Sequence, residues 1–187
     1  MKNSPSIPSR DTIISMIVKN MYSDRIINNS HRGDVVEMIV LSALDSDWSL
    51  VGLGWHPWDL QRGSGKERVR IQVKQSAALQ LWGPTKAPAL TFGWKKSPPE
   101  YFYRDNPNEE IEKEGWFCDL FVFGLHQIND PAIADQVDPS QWSFLVIPKS
   151  DLKPMQNSMN LKKALKKWKP VSWSEINSSV NEVINNM

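Results

Sequence analysis

Four residues whose types suit phosphate chemistry lie within a short reach of the chain: Glu37, Asp59, Gln72 and Lys74. Asp59 follows Trp55-His-Pro-Trp58, and Gln72-Val73-Lys74 comes after a polar excursion punctuated by Arg62-Gly-Ser-Gly-Lys66. Carboxylate and amide oxygens are the hard donors that Mg²⁺ takes. An ammonium two residues beyond the amide projects from the same face of a strand, where it can hold a water or stabilise charge building on a phosphate. Glu37 is the one charge between Val35 and Leu44. A carboxylate on so apolar a helix either needs a partner inside the fold or faces water near the helix start, favoured by the dipole.

Other chemistries find less support. His31, His56 and His126 have no zinc-like spacing with Cys118, and there is no glycine-rich phosphate loop. The lone cysteine lies in an apolar run, which reads as a buried thiol in a reducing compartment. The first ten residues lack an apolar signal region, and no apolar run approaches the roughly 20 residues of a membrane span, so a cytoplasmic protein is expected. A net charge of +1 gives no global pull toward nucleic acid, so any such binding must come from local clusters. Nine tryptophans in 187 residues point first to packing anchors.

The elements that must position these residues follow from periodicity. Residues 1–10 read as a loosely held arm, and 11–22 as an apolar helix packed on the body. Asn28-Asn-Ser30 breaks the chain, and a second helix runs from Gly33-Asp34 to about Leu44. Strands are expected over 48–53, closed by Gly54, and over 58–61, with a hairpin turn at 62–66. From Arg68 to Gln75 polar and apolar residues alternate, with Val69, Ile71 and Val73 on one face and Arg68, Arg70, Gln72 and Lys74 on the other. Residues 77–115, with Trp82-Gly-Pro84, Lys86, Pro98-Pro99 and the acidic run 109–114, read as an irregular connection. Trp116 to Leu125 is a strand covered on both faces, with Asp119 a structural acid near its start. Trp142 to Ile147 is another buried strand. A helix from Ser158 to Pro170 sets a core stripe of Leu161, Ala164, Leu165 and Trp168 against Lys162, Lys163, Lys166 and Lys167, and 172–186 is a last amphipathic helix. That lysine face is a solvated surface or a set of phosphate contacts.

With Glu37 on a helix, Asp59 on a strand and Gln72-Val73-Lys74 on the next, the chain resembles the PD-(D/E)XK nuclease superfamily. Ile71-Gln-Val-Lys-Gln-Ser-Ala-Ala-Leu-Gln-Leu-Trp82 and Trp142-Ser-Phe-Leu-Val-Ile-Pro148 further resemble a bacterial subgroup in which the core strand runs into a Ser-Ala-x-x-Gln-x-Trp segment. The likeness covers roughly residues 31–150 of a single domain, with the C-terminal helices of 158–187 outside it. It implies an α/β fold, a restriction-endonuclease-like αβββαβ core whose mixed central sheet is flanked by helices. It also implies a Mg²⁺-dependent (or Mn²⁺-dependent) nuclease acting on DNA phosphodiesters in restriction, defence or repair. Asp59, Gln72 and the Val73 carbonyl would hold the metal, joined by Glu37, and Lys74 with Glu37 would position the water. Arg68, Arg70, Gln75, Ser76 and Gln80 are the implied DNA contacts, with Lys162, Lys163 and Lys166 on backbone phosphates. A homodimer is a further implied partner, since cutting both strands takes two sites. Two departures bear on the chemistry: Trp58 stands where the superfamily has proline, and Gln72 where it usually has an acid. The neutral amide weakens Mg²⁺ binding. It also leaves a second reading open, a catalytically inactive nucleic-acid- or protein-binding module on the same fold.

Overall fold

The computed structural model describes residues 7–51, 56–81, 91–98, 114–153 and 157–187. Trp55, Gly54, Trp82-Gly-Pro84, Lys86, Pro99 and residues 109–113 of the acidic run lie outside them, as does the arm up to Ser6.

Five strands form the central sheet: β1 (Trp48–Leu50), β2 (Leu60–Arg62), β3 (Val69–Ala77), β5 (Leu120–His126) and β6 (Trp142–Pro148), in the order β1-β2-β3-β5-β6. Only β3 and β5 run parallel, so the sheet is mixed. A separate antiparallel ribbon joins β4 (Thr91–Gly93) to β7 (Ser158–Asn160). Four α-helices are described: α1 (Arg10–Met21), α2 (Asn29–Ala43), α3 (Leu161–Lys167) and α4 (Ile176–Asn185). Among the described residues the connection from β3 to β5 contains β4 and no helix. None of the described helices is long and apolar enough to cross a membrane.

Each face of the sheet has its own core. Ile71 and Val73 of β3 and Leu120 and Val122 of β5 pack with Val35, Val36, Ile39 and Val40 of α2 and with Ile176 and Val180 of α4. Phe121 and Phe123 look the other way, toward Phe92, Trp94, Trp58 and Ala164. Every residue of β5 is buried, as the continuous apolar run requires of a strand covered on both faces. At Gly124 an added Cβ would come within 2.9 Å of Val36 Cγ1, so the missing side chain is what lets α2 settle onto β5.

Several elements differ from the sequence reading. α1 forms, with Ser9 Oγ accepting from the Thr12 N–H, but none of its residues is buried. Its apolar residues therefore do not make it a core helix. α2 starts before Gly33, because Asn28 caps it by accepting from the Ser30 N–H. Asn28-Asn-Ser30 thus opens a helix as well as closing the preceding segment. β2 begins at Leu60, and positive φ at Gly63 (71°) and Gly65 (57°) turns the chain back into β3. Ser158–Asn160 is strand, and Asn160 caps α3 by accepting from the Lys163 N–H. α3 ends at Lys167, short of Pro170, and leaves Leu165 exposed, so the core stripe is Leu161, Ala164 and Trp168. Ser172 and Glu175 form the capping box that leads into α4.

Candidate active site

Register places the strand residues. Gln72 lies beside Phe121 and Lys74 beside Phe123, on the face opposite Ile71 and Val73. Backbone direction alternates too. The Arg70 carbonyl accepts from the Asp119 N–H on the β5 side, so the groups of Ile71 and Val73 point toward β2. Ile71 finds its partner there, its carbonyl accepting from the Asp59 N–H at 2.9 Å. Two residues on, β2 has run out, and the Asp59 carboxylate takes its place.

Asp59 Oδ2 accepts from the Val73 N–H at 2.6 Å and from Gln72 Nε2 at 3.1 Å. The first is in the range of a charge-assisted bond. The Val73 carbonyl leaves the strand on the same side as its N–H. Burial raises the pKa of Asp59; Lys74, the Val73 N–H and the Gln72 amide oppose that rise. Glu37, half-buried on α2, is pushed up to about 8, first by burial, then by Asp59 and Asp34, with Lys74 acting against them. Glu37, Asp59 and Lys74 therefore share one electrostatic neighbourhood, although they come from a helix, a loop end and a strand. Glu37 also opens onto a cavity of about 650 Å³ between α1 and α2, lined with it by Val18, Tyr22, Asp34 and Met38. Among the described residues no ion pair within 4 Å joins Lys74 to a carboxylate, although its charge acts on both Asp59 and Glu37.

Trp58 precedes Asp59 in the chain. It is 1% exposed, its indole N–H donates to Gln61 Oε1 at 3.2 Å, and the Arg68 and Arg70 guanidinium groups lie over its ring at 5.4 and 5.3 Å. These contacts hold the Trp58 side chain between β2 and β3.

The implied DNA contacts fall into groups. Arg70 is held by Asp119, to which Nε and Nη2 each donate at 3.2 Å, with the Arg70 N–H at 2.8 Å. Asp119 is thus the structural acid that the sequence suggests. Gln75 and Gln80 serve a residue that sequence reading missed. Arg32 is 1% exposed and, among the described residues, has no carboxylate partner. Its Nε donates to Gln75 Oε1 at 2.8 Å, and Nη2 to Asn29 Oδ1 at 2.7 Å and Gln80 Oε1 at 3.0 Å. Nη1 faces Gln136 Oε1 at 3.4 Å, and burial lowers its pKa to about 10. The glutamine of the Ser-Ala-x-x-Gln segment therefore cages a buried guanidinium. Ser76 is half-buried beside it, and Lys162, Lys163 and Lys166 are exposed along α3. The only early sign of Arg32 was a cation one turn before an apolar helical run, a pattern that usually means a solvated helix start.

The donor set suits a hard divalent cation. It holds two carboxyls whose pKa values burial raises, an amide, and the carbonyl of Val73 on the side of β3 that β2 has left. Among the described residues no group of three or more histidine, cysteine and acidic side chains could hold a metal, so any site here relies on Gln72 and the Val73 carbonyl. No protein-family model, curated protein or solved structure matches the chain.

Proposed function

We propose that the chain is a Mg²⁺- or Mn²⁺-dependent nuclease of the restriction-endonuclease-like fold, hydrolysing DNA phosphodiesters in restriction, defence or repair. One observation carries the reading: Asp59 is tied to Val73 and Gln72 at the point where β2 leaves β3, with Lys74 near enough to lower its pKa and Asp59 in turn near enough to raise that of Glu37. Asp59, the Gln72 amide oxygen and the Val73 carbonyl would hold the cation, with Glu37 beside them. The cation would supply Lewis-acid activation of the phosphate. Lys74, unpaired with any carboxylate in the described structure, would stabilise negative charge on the phosphate oxygens. Glu37 holds a proton up to about pH 8, so a bound cation would first displace that proton, and the carboxylate so freed would accept one from the attacking water. DNA is the partner this reading requires, with α3 lysines on its backbone.

The test is cleavage of DNA by the purified protein with Mg²⁺ or Mn²⁺. Lys74→Ala should remove at least about 10²-fold of the rate, the scale of one electrostatic contact in a transition state, with the thermal unfolding midpoint unchanged. Cutting at full rate by that variant would overturn the assignment.

A second reading, a catalytically inactive nucleic-acid- or protein-binding module, draws on the Gln72–Asp59 hydrogen bond, which satisfies the carboxylate without a cation. Calorimetric titration with Mg²⁺ separates the two. Binding that Asp59→Asn abolishes supports the enzyme, and no binding up to millimolar concentrations supports the module.

A further inference from the structure

We propose that the cavity between α1 and α2 is a binding site for a small organic cation, a protonated amine carried on an apolar body, with the ammonium held between Asp34 and Glu37. The cavity has a volume of about 650 Å³, within the range of small-molecule sites. Val18 of α1, Val35, Met38 and Ile39 of α2, Leu50 of β1 and Val137 of the loop before β6 make its walls mostly apolar. Asp34 and Glu37 stand three positions apart on α2, so both carboxyls come from one face of the helix.

Donors and acceptors decide the head group. The hydroxyls of the lining, on Tyr22 and Ser42, are both spent: Tyr22 OH donates to Asp34 Oδ2 at 3.0 Å, and Ser42 Oγ to the Ile39 carbonyl at 2.8 Å. Asp34 Oδ1 and the Glu37 carboxyl have no hydrogen bond or ion pair among the described residues. Once ionised they can only accept, so a polar ligand here must donate. No lysine or arginine lines the cavity among the described residues. His31 Nδ1 lies 4.0 Å from Asp34 Oδ2, and Lys74 acts on Glu37 from β3, yet burial, Asp59 and Asp34 still push Glu37 up to about 8. The cavity is therefore short of positive charge, and a ligand ammonium would bring both the charge and the N–H groups. A carboxylate or phosphate would instead meet two acids and no free donor, which rules out fatty acids and nucleotides. Such an amine would bind whether or not the chain cuts DNA.

Calorimetric titration of the full chain with octylammonium, octanol and octanoate compares three head groups on one tail. It is run at about pH 8, where Glu37 begins to ionise, without metal or DNA, so the result does not depend on cleavage. Octylammonium should bind at least about tenfold more tightly than octanol, the scale of one hydrogen bond to a charged group, and octanoate should not bind. Asp34→Asn should weaken octylammonium by about tenfold. Met38→Trp should abolish its binding by filling the cavity. Both side chains are exposed, so circular dichroism should be unchanged in either variant. Failure of octylammonium to bind up to millimolar concentrations would overturn the proposal, as would octanol or octanoate binding as tightly. Full affinity in Asp34→Asn or in Met38→Trp would place the amine elsewhere and overturn it too.

Discussion

Glu37 carries the sharpest pH consequence at the scale of single residues. Its pKa in the fold is about 8, against 4.5 for an unperturbed glutamate. Between those values the folded state holds a proton that the unfolded chain gives up, so this group's contribution to stability is fully present below about 4.5 and is lost as pH rises toward 8. Asp59 shifts in the same direction and adds to the same slope. Glu37→Gln should flatten the fall in unfolding free energy between pH 5 and about 8, measured by urea titration. An unchanged slope would remove Glu37 as its cause. If Glu37 joins a bound cation, Mg²⁺ must displace its proton. Affinity should then tighten from pH 7 to about 9, and calorimetry in buffers of different ionisation enthalpy should show proton release. Gln72→Glu should strengthen Mg²⁺ binding by about tenfold, because a carboxylate replaces a neutral oxygen. Equal or weaker affinity in the variant would take Gln72 out of the ligand set. That Gln72 and Lys74 share a face was legible in the chain because strand alternation puts i and i+2 together, and the short turn between β2 and β3 brings Asp59 beside them, although Asp59 itself precedes β2. Arg32 was not, since its partners Gln75, Gln80 and Gln136 are 43, 48 and 104 positions away and nothing local links them.

Arg32 matters most as a joint between elements. It ties the first turn of α2 to β3 through Gln75, to the segment after β3 through Gln80, and to the loop before β6 through Gln136. Gln136 Nε2 in turn donates to the Leu79 carbonyl at 2.9 Å, and its Oε1 accepts from the Ile27 N–H at 3.0 Å. Together with the Val36–Gly124 contact this clasp sets where α2 lies on the sheet, and so where Glu37 stands relative to Lys74. Arg32→Lys keeps the charge but cannot reach acceptors on so many sides at once. Leaving even one or two buried amide oxygens without a donor should cost about 2 kcal/mol, or roughly 4–8 °C in unfolding midpoint. A calorimetric midpoint within about 1 °C of wild type would show that the cage is not a structural joint. The elements themselves were mostly readable, because periodicity reports which faces are apolar. It failed on α1 for a physical reason: an apolar stripe shows which face of a helix is apolar, not that the fold buries it, and no residue of α1 is buried. It failed at Ser158–Asn160 because three residues are too few for any period, and pairing with β4 decides the matter.

For the whole molecule, a net charge of +1 limits how DNA could be held. Long-range attraction is close to nil, so affinity must come from a local cluster meeting phosphates. Arg70 is taken up by Asp119, and Lys167 by Asp151, its Nζ lying 3.4 Å from Oδ2 and over the Trp168 ring. Lys162, Lys163 and Lys166 remain on the exposed face of α3 as the cluster that could touch a backbone. Each phosphate contact releases counterions and adds nearly one unit to the slope of log affinity against log salt. Replacing all three lysines by alanine should therefore lower that slope by about 2–3 and weaken binding to different DNA sequences alike. Stability should change little, since these side chains cover no core and Ala164 and Leu161, which do, are untouched. Binding measured by fluorescence anisotropy at several salt concentrations reads both quantities at once. A slope unchanged in the triple variant would show that α3 faces water alone, and would move the search for a DNA surface to the sheet edge beside Asp59 and Lys74.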